Sequence, residues 1–158
     1  MTLSTDIQAF RIKRWQMIRL ITFFPVIILL ITPLLIPNKL FGLTRYHYAI
    51  GVTLVYLVIS FYYAQMNYQY IYFSDSGDII IFRYYSLSAF GQQRRSVQIP
   101  KHTFVKYEIT KVFFNQRTNL ILFQRVSKGI AKYPPISLSI LSEGEQQQLF
   151  NALNSLKK

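Results

Sequence analysis

Residues 20–37, LITFFPVIILLITPLLIP, carry no charged side chain, and thirteen of the eighteen are Leu, Ile, Val or Phe. At about 1.5 Å of rise per residue, a helix over this run is roughly 27 Å long, close to the ~30 Å hydrocarbon core of a bilayer. A second uncharged run extends from Tyr46 to Ser74 and is most apolar from Tyr48 to Met66. Two such runs would overfill the core of a soluble chain of 158 residues. The reading that satisfies both is a transmembrane hairpin turned by NKLFGLT, residues 38–44. A cleaved signal peptide fits poorly, because no small-residue cleavage pattern follows the first run before the second begins. The expected organisation is a basic interfacial segment over 1–19, a transmembrane helix over 20–37 and a short non-cytoplasmic loop over 38–45. A second transmembrane helix over 46–67 then leads into a cytoplasmic domain over 68–158.

The flanks set the expected orientation. Arg11, Lys13, Arg14 and Arg19 precede the first span, with Trp15 among them as an interfacial aromatic, and Arg83 follows the second span. The loop and its edge hold only Lys39 and Arg45. The excess of bases on the terminal side predicts that both termini face the cytoplasm. Thr5 and Gln8 have capping-box spacing, which starts a helix there. Ile7, Phe10, Met17 and Ile18 fall roughly on one side of it. Either a separate helix in the headgroup plane or a plain extension of the first span satisfies this pattern. Pro25 and Pro33 each remove a backbone hydrogen bond and predict kinks, with Pro37 at the end of the run. Neither span holds an acidic residue, so a proton or cation relay lacks its usual groups. Ser60 and Ala64, with Gly51 earlier, supply small surface for close helix packing, against the first span or another protein. Tyr46, Tyr48, Tyr62, Tyr63 and Phe41 fall near the expected water boundaries. Tyr56 lies nearer mid-membrane, with Thr22 or Thr32 as acceptors for its hydroxyl.

Several chemistries are disfavoured. The chain has no cysteine and two histidines, which removes disulfides, thiol catalysis and thiolate metal sites and leaves little for a histidine cluster. Asp75 and Asp78 lack the ligand spacing of a calcium loop and read as a hairpin turn. His47, His102 and Glu108 have no sequence neighbours that compose a triad or metal site. No phosphate-cradling glycine loop and no RNA-recognition signature is present. The expectation is a chain that is not an enzyme, with no cofactor, no metal and no nucleic-acid partner.

From Tyr70 onward the pattern turns to short alternating runs. YIYF (70–73), DIIIFRYYSL (78–87), QQRRSVQIP (92–100), TFVKYEIT (103–110), NLILFQRV (119–126) and ISLSI (136–140) read as strands. Gly77 occupies a turn position that favours positive φ, Phe90-Gly91 marks a reversal, and Lys128-Gly129 fills the turn after 126. A helix closes the chain: Ser142 and Glu145 make a capping box, and Leu149, Phe150, Leu153 and Leu156 form its apolar stripe. Lys157 and Lys158 sit at the negative end of its dipole.

Strands YIYFSDSGDIIIFRYYSL, then RRSVQIPKHTFVKYEI, then the helix EGEQQQLFNALNSL resemble the bacterial pleckstrin-homology-like (PH-like) membrane proteins over about residues 68–156. The resemblance implies an α+β membrane protein of a bacterial inner membrane: a two-helix transmembrane hairpin, then a PH-like β-barrel or sandwich of six or seven antiparallel strands capped by a C-terminal helix. It also implies a binding module. The bases that phosphoinositide-binding PH domains cluster at the first hairpin turn are missing from Ser74-Asp75-Ser76-Gly77-Asp78. The bases lie elsewhere, and Arg94, Arg95, Lys101, Lys106, Lys111 and Arg117 form the candidate basic binding face. Residues 75–158 hold twelve bases and five acids, which attracts an anionic leaflet or an acidic partner. The expected function is a membrane-anchored scaffold or accessory subunit that docks a membrane or cytoplasmic protein. The alternatives are an anionic-lipid-reading surface module and a small assembly subunit of a larger complex, and self-association stays open.

Overall fold

The computed structural model describes residues 1–32, 39–40, 43–88 and 93–156, with only the backbone described at 39, 40 and 43. Expectations on Pro33, Pro37, Phe41, Phe90, Gly91, Lys157 and Lys158 therefore lie outside the described residues. The protein is α+β. In chain order its elements are β1 (Thr2–Ser4), α1 (Asp6–Ile31), β2 (Lys39–Leu40), β3 (Leu43–Thr44) and α2 (Arg45–Met66). Then come β4 (Gln69–Ser74), β5 (Ile79–Ser86), β6 (Arg95–Pro100), a 3-10 turn (Lys101–Thr103), β7 (Phe104–Val112), β8 (Arg117–Val126), β9 (Gly129–Lys132), β10 (Ile136–Ser137) and α3 (Glu143–Ser155). These divide into two compact units, one of residues 1–10 and 66–158 and the other of residues 11–65.

In the first unit, β1-β4-β5-β6 form one antiparallel sheet, and β7, β8, β9 and β10 form a second built around β8. Of the barrel or sandwich that the family resemblance implies, the barrel is not formed, because the two antiparallel sheets do not close on each other. Between β6 and β7 the chain leaves the ladder through the 3-10 turn, and the β7–β8 register slips between Phe104 and Lys106. Strand alternation supplies the core. Ile71 and Phe73, Ile80 and Phe82, and Val97 and Ile99 turn inward from the first sheet, Leu120 and Leu122 from the second, and Leu149 and Leu153 from α3. Phe73 faces Phe82 directly across the strands, with ring centroids 4.8 Å apart. Helix α3 is fixed by its predicted capping box: Ser142 Oγ accepts from the Glu145 amide, and the Glu145 carboxylate accepts from the Ser142 amide at 2.8 Å. It reaches β7 through Tyr107, which stacks on Phe150 and donates to Asn154 Oδ1 at 2.9 Å.

The amino terminus departs from expectation. Thr2–Ser4 is a strand on the edge of the first sheet, paired with Tyr72–Ser74. Thr5 does precede a helix, but its hydroxyl caps nothing. It accepts from the Ile71 amide at 2.9 Å and donates to the Ile71 carbonyl at 3.2 Å. Gln8 likewise turns away from the helix start and donates to Glu145 Oε1 at 2.9 Å. A tertiary partner already in register has displaced the local cap. Residues 6–31 then form one continuous helix, so the backbone favours the plain extension over a separate interfacial helix, and it runs unbroken through Pro25.

In the second unit α1 and α2 pack antiparallel. Phe23 stacks on Tyr56 with centroids 3.9 Å apart, and the Arg19 guanidinium sits 4.6 Å from the Tyr63 ring centre. The sheltered residues of α2 recur at Ala49, Thr53, Tyr56 and Ser60, the spacing of one helical stripe. Ser60 lies on this stripe, whereas Gly51 and Ala64 are exposed, and a Cβ at Gly51 would meet no atom within 4 Å. Thr22 and Thr53 hydroxyls donate to carbonyls of their own helices, at 2.9 and 2.8 Å, and Thr32 donates to Leu29. Thr22 and Thr32 thus satisfy themselves locally, and Tyr56 meets the other helix through its ring. Both helices are long and apolar enough to cross a membrane, and their outward residues from Leu20 to Ile31 and Ile50 to Phe61 are largely exposed apolar side chains.

Candidate functional site

The outer face of the first sheet is built by the same alternation that builds the core. Residues one step off Ile71, Phe73 and Phe82 point the other way. Tyr70 and Tyr85 are cross-strand partners, and their rings stack at 4.7 Å. Tyr72 pairs with Arg83, whose guanidinium lies 5.8 Å from the Tyr72 ring centre, and Arg83 in turn pairs with Ser96. Arg94 and Arg95 lead into β6 beside them. These side chains line a groove of about 510 Å³. It shares Tyr84, Tyr85 and Arg95 with a second cavity of about 410 Å³ that runs to Pro134 and Pro135.

The groove is cationic and aromatic. Arg83, Arg94 and Arg95 are all exposed, and among the described residues none of them forms an ion pair with an acidic side chain. Arg95 does reach Gln93 Oε1 at 3.3 Å. At the groove's end, burial holds the Tyr70 hydroxyl above its ordinary pKa of 10.0, assisted by the charge of the Asp6 carboxylate and a hydrogen bond to it. Such a surface stacks planar groups on tyrosine and takes carboxylate or phosphate in the two-pronged grip of guanidinium.

The bases expected to form one face do not gather. Arg94 and Arg95 belong to the groove. Lys101 is drawn to the first hairpin turn, where its ammonium contacts both the Asp75 carboxylate and the Asp75 carbonyl at 2.9 Å. Lys106 pairs with Glu108 at 2.6 Å and covers the Phe123 ring at 4.9 Å. Lys111 and Arg117 flank the turn of the β7–β8 hairpin on the second sheet. Tyr70, Tyr72, Arg83 and Tyr85 were missed as site residues. The signal was there: in YIYF and FRYY, Tyr70, Tyr72, Arg83 and Tyr85 occupy the alternate positions that the apolar core residues leave vacant. In that turn the Asp75 carboxylate holds Lys101, and the Asp78 main-chain carbonyl accepts from the Lys101 amide at 2.8 Å. Of the remaining predicted residues, Arg11, Lys13, Arg14, Trp15 and Arg19 all lie on α1, with Trp15 exposed.

Comparison of the chain with protein families, with curated proteins and with solved structures returns no match.

Proposed function

We propose that this chain is a membrane-anchored binding module of PH-like type, whose helix hairpin sits in a bacterial inner membrane with both termini on the cytoplasmic side. Its tyrosine–arginine groove takes an acidic segment of a protein partner. The observation that carries this reading is the convergence of Arg83, Arg94 and Arg95, without acidic counterparts among the described residues, on a platform of Tyr70, Tyr72 and Tyr85. Aromatic and arginine side chains are the two kinds that dominate binding energy at protein interfaces. β6 is the last strand of its sheet among the described residues, so an extended acidic segment can add alongside it while its carboxylates meet the guanidiniums. The apolar helices support an anchor, and anchoring raises the local concentration of the module at the membrane face without a strong interface. The likeness to PH-like membrane proteins draws support from element order alone: apolar helix pair, two antiparallel sheets, C-terminal helix. The role is that of an accessory subunit or scaffold, and no step of catalysis is assigned to it.

The test is co-purification from native membranes in mild detergent. The triple variant Arg83→Glu, Arg94→Glu, Arg95→Glu loses a stoichiometric partner that the parent chain retains. Lys101→Met, whose ammonium is already engaged by Asp75, leaves it bound. A parent chain that elutes with no stoichiometric partner, or a triple variant that keeps one, refutes the reading.

A further inference from the structure

The turn of the β7–β8 hairpin is not the turn that a hairpin prefers. Phe113, Phe114 and Asn115 adopt φ of 53°, 53° and 64°, the left-handed region, in succession. Glycine or asparagine serves there without strain, whereas a phenylalanine costs roughly 1–2 kcal/mol at each position. Two phenylalanines have nevertheless been placed at the tip, and Phe114 is 90% exposed. Their rings meet edge to face at 5.7 Å, so they form one apolar knob. The approach is also unusual. Glu108, Ile109, Thr110 and Lys111 on β7 are all exposed, so the distal half of that strand is unsheltered on both of its faces. Lys111 pairs with Thr118 and Val112 with Arg117, which sets one base on each strand just behind the knob. From Ile109 to Ser142 the chain holds five bases and no acid.

We infer that this hairpin tip inserts into the headgroup–acyl boundary of an anionic bilayer, Phe114 entering the apolar layer while Lys111 and Arg117 engage lipid phosphates. An aromatic knob backed by cations matches a negatively charged interface in both chemistry and order, apolar first and basic behind. An acidic protein surface would satisfy the bases but would leave Phe114 without an apolar layer. The inference is independent of the groove, which lies on the other sheet.

The test uses the full chain. Trp15 is its only tryptophan, so Trp15→Phe, Phe114→Trp carries a single reporter at the tip. Reconstituted in nanodiscs with about one-third anionic lipid, the reporter emits to the blue of its value in detergent-free denaturant and is quenched by lipids brominated in the acyl chain. Adding Lys111→Gln lowers the ratio of inserted to free tip about fivefold, since each base near an anionic leaflet adds about one tenfold-energy unit or slightly less. Purely zwitterionic nanodiscs reduce the quenching likewise. A red emission without bromine quenching overturns the inference. So does a blue emission that bromine leaves untouched, which marks a tip covered by protein, such as a second copy. Because Phe114 is 90% exposed, its replacement leaves the core intact.

Discussion

Replacing Thr5 with valine isolates the tie between the amino terminus and the first sheet. Thr5 is fully buried, and its hydroxyl is the acceptor for the Ile71 amide at 2.9 Å. Valine keeps the shape and removes that acceptor. The Ile71 carbonyl still receives the Thr5 amide at 3.1 Å, so the loss concentrates on one orphaned N–H inside a residue with no solvent exposure. An unsatisfied buried donor costs about 1–3 kcal/mol. At 1.36 kcal/mol per factor of ten, local opening of β1 from β4 becomes roughly five- to 150-fold more frequent. Hydrogen exchange read by mass spectrometry on peptides covering residues 1–10 and 69–76 measures this directly, because the amides of Thr5 and Asp75 bond across that seam. Thr5→Ser restores the hydroxyl and recovers most of the protection, losing only a buried methyl worth about 0.8 kcal/mol. Exchange in Thr5→Val within about twofold of the parent would refute the hydrogen-bond reasoning, as would Thr5→Ser opening equally often.

Two further outcomes follow from the same side-chain chemistry. The raised pKa of Tyr70 favours its neutral form in the folded state, so its contribution to stability is complete below 10.0 and is lost as pH rises through the folded value. Compared across that window by denaturation in detergent, the parent loses stability relative to Tyr70→Phe as pH climbs above 10.0, and parallel curves contradict the assignment. Ser142→Ala removes the cap of α3 and destabilises its first turn by about 1 kcal/mol, which appears as faster exchange in residues 143–150, with β8 unaffected.

What could be read from the sequence depended on how local its cause was. The capping box of α3 involves residues three apart, and it formed as predicted. Gly77, expected at a positive φ, has φ of 77°. The β7–β8 ladder was legible in the runs 103–110 and 119–126, which the strands Phe104–Val112 and Arg117–Val126 extend by two residues each toward their shared turn. Features whose cause lies far along the chain were misread. Thr2–Ser4 is too short to declare itself a strand, and Thr5 has the residue type of a cap until Ile71, 66 residues away, claims its hydroxyl. Lys128-Gly129 reads as the turn between runs 119–126 and 136–140, but Gly129–Lys132 returns along β8 as a strand of its own. The run 136–140 was expected to be wholly extended, but only Ile136–Ser137 is, because the Leu141 amide closes a turn onto the Leu138 carbonyl. The basic face failed for a related reason. Charge count treats Arg94, Arg95, Lys101, Lys106, Lys111 and Arg117 alike, whereas pairing sends Lys101 to Asp75 and Lys106 to Glu108, the β7–β8 hairpin carries Lys111 and Arg117 away, and only Arg94 and Arg95 meet in the groove. Of the small residues, Ser60 shares the sheltered stripe of α2, whereas Gly51 and Ala64 stand on its exposed side.

Membrane topology bears most directly on the proposed role, and the absence of cysteine makes it accessible with single reporters. Thr44→Cys, just before α2, and Ser76→Cys, in the exposed turn between β4 and β5, are treated separately with a membrane-impermeant maleimide. A helix hairpin that holds the sheet domain at the cytoplasmic face predicts labelling of residue 44 in intact spheroplasts, and labelling of residue 76 only after permeabilisation. Equal labelling of both positions in intact spheroplasts, or labelling of residue 76 alone, would contradict it.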